Sequence, residues 1–195
     1  MEHIDEQLLE NDLVYRFEYL KNFIGFDETD VAAIRSIITH LAPQIDKLVD
    51  ATYEKLLSYD ATARHFVPRQ HGYEGDVPDS LQNLSARDDQ IKFRKDHLRR
   101  YFMQLLGHAY DAKLVIYLDM VGKIHTPKAG SKQLDTPLVQ MNALLGLIAD
   151  LLIETLLELD IANDQKNAVI RAFQKLLWIQ NDFISRHYVA THETI

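Results

Sequence analysis

The chain has 195 residues, 47% of them apolar and 26% charged, with a net charge of −8 and no cysteine. That length suits one domain around a single core, so residues 1–195 are expected to fold as one unit. The acidic balance argues against non-specific nucleic-acid binding, which needs a basic surface to meet phosphate, and the missing cysteines exclude disulfides, thiolate metal sites and thiol catalysis.

The start, MEHIDEQLLENDL, is acidic and lacks the basic-then-apolar order of a secretory leader, so the cytoplasm is the default expectation. A first helical segment, about 4–22, carries Leu8, Leu9, Leu13, Phe17 and Leu20. Asp27 or Thr29 can cap a second helix, about 29–41, with Val31, Ile34, Ile37, Ile38 and Leu41 inward. Pro43 marks a corner and suits the first turn of a third helix, about 43–58, whose one face carries Ile45, Leu48, Val49, Thr52, Tyr53 and Leu56. A short turn leads to Phe66.

Glycine and proline cluster in HGYEGDVPDS (71–80) and TPKAGSKQLDTP (126–137), which read as breaks. Between them, a helix over about 86–106 shows Ile91, Leu98, Phe102 and Leu105 on one stripe. The next, about 110–125, is apolar through Ile116, Val121 and Ile124. The last two, about 136–160 and 163–189, are the longest. Asp150 and Glu154 interrupt ALLGLIADLLIETLLEL, which makes it an amphipathic core helix rather than a membrane span. The expected class is all-α. Short helices, a long corner loop and two long C-terminal helices favour a globin-like helical sandwich over an up-down bundle of equal helices.

The chain contains no Glu-x-x-His, His-Glu-x-x-His, Gly-x-Ser-x-Gly, P-loop or Gly-x-Gly-x-x-Gly motif. Of nine histidines, His3, His187 and His192 near the ends, and His65 and His71 beside a loop, are expected to be solvated. His40 ends a helix, where the dipole favours a cation. His97 sits beside the apolar stripe and points partly away from it, and spacing assigns no place to His108. His125 is different. Pro127 disfavours helical geometry at Thr126, so the helix ends at about His125. A neutral imidazole there, facing an apolar interior, can ligate iron, with its other nitrogen bonded to a carbonyl of the preceding turn. From spacing alone, a plain helix-end histidine interacting with the dipole is the more ordinary reading.

Two segments carry a resemblance. YLDMVGKIH (117–125), with its Val-Gly-x-x-His ending, resembles the helix bearing the haem-binding histidine in protoglobins and globin-coupled sensor domains. QIDKLVDATYEKLLSYDATARHF (44–66) is similar to their second globin helix, where a tyrosine reaches over the distal face of haem and a phenylalanine follows. The likeness covers roughly residues 10 to 190, including an extra N-terminal helix. It implies haem b as cofactor, His125 as proximal iron ligand, Tyr53 as distal hydrogen-bond donor, and Phe66, Leu98 and Phe102 as pocket walls. Leu138, Val139, Met141 and Leu145 would close the proximal side. There are departures: Thr52 stands where many protoglobins have an aromatic residue, Leu98 where phenylalanine occurs, and the loop 67–87 is long.

The implied function is reversible binding of O2, CO and NO as a gas sensor, without an enzymatic role. A haem-free globin-fold interaction module is the alternative, as is a haem enzyme acting on nitric oxide or peroxide, in which Arg94 and His97 are the polar candidates. The resemblance also implies a homodimer through the last two helices. Globin-coupled sensors continue into an output domain, whereas this sequence stops at Ile195. A separate signalling partner or a stand-alone globin is therefore expected, without nucleic-acid binding or membrane insertion.

Overall fold

The computed structural model describes residues 1–107, 109–129 and 134–188, and within them every regular element is helical. His108 and His192 lie outside the described residues, as does residue 189, the expected end of the last helix.

The N-terminal segment is two helices, α1 (Glu6–Asn11) and α2 (Leu13–Ile24), rather than the single helix expected. Asp12 separates them. Its extended backbone (φ −117°, ψ 108°) ends α1, and its side chain accepts from the amides of Val14 and Tyr15 to start α2. Gly25, at φ 74°, closes α2 in the left-handed region that glycine adopts without strain.

The second expected helix is also divided, into α3 (Glu28–Ser36) and α4 (Ile38–Leu41), at Ile37. Asp27 and Asp30 form a reciprocal capping box on α3. Asp30 also holds Lys175 at 2.7 Å, tying α3 to the last helix. A 3-10 turn through Pro43 leads into α5 (Ile45–Leu57), which buries Ile45, Leu48, Val49, Thr52 and Tyr53 as the spacing predicts. The short α6 (Asp60–Ala63) and a 3-10 turn deliver Phe66.

The longer helices follow: α7 (Asp89–Gly107), α8 (Ala112–Lys123), α9 (Leu138–Glu158) and α10 (Asn163–Ser185). The last helix is the hub, packing against α9, α3, α8 and α2, while α5 packs against α7 and α9. Phe17, Ile34, Leu118, Leu156, Leu176 and Phe183 meet in the centre.

The expected apolar face of α8 is corrected. Ile116 is 61% exposed and forms an outer stripe with Met120 and Ile124, whereas Leu114, Val115, Leu118 and Gly122 are buried and Val121 packs against the core. This helix is apolar over most of its circumference, so periodicity alone could not choose the face. Val139, expected on the proximal side, is 72% exposed, while Met141 and Leu145 are buried. By length and composition α9 could cross a membrane, yet Met141, Leu145, Ile148, Leu152 and Leu156 make it a core helix on one face.

Candidate haem site

His125 follows the last turn of α8, and its backbone amide still bonds to the Gly122 carbonyl at 3.3 Å. Its Nδ1 donates to the Val121 carbonyl at 2.7 Å, the partner in the preceding turn that an iron-ligating imidazole requires. With Nδ1 carrying the proton, Nε2 presents its lone pair. Desolvation lowers the His125 pKa, with the Val121 hydrogen bond opposing and the charge of Arg94 adding to the effect. The ring is therefore neutral at pH 7.

The residues of the Val-Gly-x-x-His run have separate physical reasons to be what they are. A Cβ at position 122 would lie 2.6 Å from the Phe183 carbonyl oxygen and 2.8 Å from Ile184 Cα, so Gly122 lets α8 cross directly against the backbone of α10. Gln180 donates to the Leu118 carbonyl at 3.3 Å in the same seam. Asp119 accepts from Arg186 at 2.5 Å and meets His187 Nε2 at 2.9 Å. His187, expected in solvent, is thus corrected: its side chain is only 9% exposed, and no signal in its own neighbourhood reveals that, because the burial comes from α8.

The segment after His125 is held as well. The Thr136 amide donates to the His125 carbonyl at 3.0 Å, Tyr188 Oη to the Thr136 carbonyl at 2.7 Å, and Lys128 Nζ to the His187 carbonyl at 2.8 Å.

Across the fold, Tyr53 is buried on α5 with its ring centroid 5.6 Å from that of Phe66. Burial raises the Tyr53 pKa, only partly offset by Arg94, so the hydroxyl stays protonated and can donate. Phe102 is buried on α7 and Leu98 packs against the core one turn before it. Thr52 is buried beside Tyr53, with its hydroxyl donating to the Leu48 carbonyl at 2.8 Å. Phe66 is fixed by a residue that spacing did not single out. Gln90, wholly buried on α7, donates to the carbonyls of Phe66 (2.8 Å) and Pro68 (3.1 Å) and accepts from the Gln70 amide (2.8 Å). It pins the start of the long loop 67–87.

Arg94, a polar candidate whose direction the sequence left open, turns inward. It lies between Ile91 and Leu98 at positions that continue their helical stripe, with its guanidinium 4.8 Å from the centre of the Phe66 ring. It donates to the His65 carbonyl at 3.2 Å, and its Nε is buried without a partner. Its charge reaches Tyr53, His65, His97 and His125. Desolvation pulls its own pKa from 12.5 down to about 10. His65, expected in solvent, is corrected too. It is half-buried, its Nε2 is enclosed without a partner, and desolvation followed by the charge of Arg64 lowers its pKa. His97 lies edge-on to Phe93, with ring centres 4.5 Å apart, and keeps some solvent exposure.

Among the described residues no group of three or more histidine or acidic side chains is arranged to hold a bare metal ion. Two surface clefts, one between Leu57 and Leu84 and one between Phe26 and Tyr110, contain none of the residues above. The residue types are those haem would need: a neutral imidazole at His125 with its Nδ1 satisfied, a buried hydroxyl at Tyr53, and the apolar side chains of Phe66 and Phe102 in the core and of Leu98 against it.

Comparison with known proteins agrees with the fold. No curated protein matches the chain. The globin domain of the Geobacter sulfurreducens globin-coupled sensor superposes with a TM-score of 0.70, covering 89% of this chain and 97% of that one at 16% identity, a likeness that establishes the globin fold. Residues 13–194 match the Protoglobin family, and on that extent this chain is a member of the protoglobin family.

Proposed function

We propose that this protoglobin binds haem b and reversibly takes up O2, CO and NO as a gas sensor, with His125 holding the iron and Tyr53 acting on the bound gas. Bound haem supplies the iron that takes the gas; the chain's own residues orient, surround and tune it. The observation that carries the reading is the 2.7 Å bond from His125 Nδ1 to the Val121 carbonyl, which fixes the tautomer and leaves Nε2 unprotonated and able to ligate. Tyr53, kept protonated by burial, would donate to the negative charge on bound O2 and favour it over CO, which gains less from a hydrogen bond. Phe66, Leu98 and Phe102 would exclude water as apolar walls. The reading assigns no catalytic residue and takes the chain as one domain.

A homodimer through α9 and α10 belongs to the same reading. It is supported by Trp178 and Leu157, which are 64% and 57% exposed, and by α9 burying only 28% of its most apolar window within one chain. Gas-dependent movement at that interface would pass the signal to a partner.

The test is an absorption spectrum of protein expressed with ample haem, beside His125→Ala. A strong Soret band that shifts with CO in the ferrous protein, and is lost or altered in the variant, is the expected result. No haem uptake by the intact protein would overturn the reading in favour of a haem-free interaction module.

A further inference from the structure

Five cationic residues lie on α7, and they divide by partner. Lys92 pairs with Asp89, Lys95 with Asp50, and Arg99 with Asp46 and Asp96. Arg100 is exposed to solvent and reaches the Asp96 carbonyl. Arg94 alone turns into the apolar stripe, and among the described residues no carboxylate pairs with it. Its protein contacts are one carbonyl and one aromatic face, leaving Nε enclosed and unsatisfied. An enclosed cation without a counter-charge is unfavourable, and a guanidinium is shaped to take an anion through two parallel hydrogen bonds. Its neighbours are the residues of the candidate site: Phe66 on one face, Tyr53 and His125 within reach of its charge.

We infer that Arg94 is an anion-binding residue of this site, whose guanidinium takes an anionic oxygen. That oxygen comes either from a carboxylate of the bound cofactor or from a small oxyanion at its iron. The inference rests on the haem reading above. It assigns Arg94 a binding role that the geometry of His125 and Tyr53 does not supply, since neither brings a positive charge.

The test compares ferric, haem-loaded wild type with Arg94→Leu and Arg94→Lys. Formate is titrated by the Soret shift, and haem loss is timed by transfer to an excess of apomyoglobin. In Arg94→Leu, a loss of about tenfold to a hundredfold in formate affinity with unchanged haem loss identifies an oxyanion at the iron. Haem loss faster by a similar factor with unchanged formate affinity identifies the cofactor carboxylate. Arg94→Lys keeps the charge without the fork and is expected to fall between, which also serves if the leucine variant does not fold. Removing the unpaired cation should in addition raise the melting temperature of haem-free Arg94→Leu. Formate affinity and haem loss both unchanged in the variants, in a wild type that holds haem, overturn the role of Arg94 alone. A wild type that takes up no haem overturns both readings.

Discussion

The seam between α8 and α10 and the layer between α5 and α7 both pair charges, since Asp50 and Asp46 of α5 meet Lys95 and Arg99 of α7 at the rim, but they differ in what they leave inside. In the seam, Asp119 answers both Arg186 and His187, and Gly122 brings the helices into backbone contact. In the α5–α7 layer, Arg94 sits against Phe66 with no acid, and His65 Nε2 is enclosed without a partner. Polar atoms without partners occur on both sides, since Gln180 Oε1 and Arg186 Nε also lack them, but only the second layer leaves a charge uncompensated. The unpaired charge of Arg94 is a feature of this layer that internal packing does not answer, and it is what the inferred anion-binding role uses.

That contrast can be broken most forcefully in the seam. Gly122→Ala places a methyl group within 3 Å of the α10 backbone and of His187. A loss of about 2–3 kcal/mol in unfolding free energy is expected, measured by urea denaturation with the slope unchanged. If stability holds, the two helices are free to slide and the seam is no clamp. A smaller effect is expected in the other layer, from Gln90→Ala. It deprives the buried Phe66 carbonyl, the half-buried Pro68 carbonyl and the Gln70 amide of their partner, for about 1–3 kcal/mol. Because Phe66 loses its anchor, Tyr53 fluorescence should change in this variant and not in Gly122→Ala.

The mildest test is acidity. Desolvation lowers the pKa values of His65, His97 and His125. The unfolded chain then binds protons first, so stability is full above the ordinary histidine pKa near 6.5 and falls as pH drops below it, towards the lower folded-state values. Haem-free His125→Phe should lose less stability between pH 7 and pH 5 than wild type. An equal slope would mean that His125 titrates normally.

Much of this was legible in the residues, and the exceptions have physical causes. The apolar faces of α5 and α7 follow helical spacing because one side of each meets the core and the other meets water. The division at Asp12 was hidden because an aspartate inside a helical pattern looks like an outward polar position, while its side chain in fact restarts the helix. The wrong face of α8 was chosen because Ile116 and Ile124 keep the same spacing as the buried set. Gln90 and His187 owe their burial to residues far away in sequence. Arg94 was legible in principle: it is the charged member of the stripe Ile91, Leu98, Phe102, Leu105. The Protoglobin match and the globin fold agree with the resemblance read from 44–66 and 117–125.

The strap after His125 has a mechanical meaning. Tyr188 grips Thr136, Thr136 grips the His125 carbonyl, and Lys128 grips His187, so the end of α10 and the end of α8 are linked in parallel by short polar bonds. A pull or twist applied at Tyr188 is delivered through two hydrogen bonds to the histidine's own peptide group. The end of α10 is therefore mechanically coupled to the backbone that carries that imidazole, so strain at Tyr188 would load the histidine's peptide group.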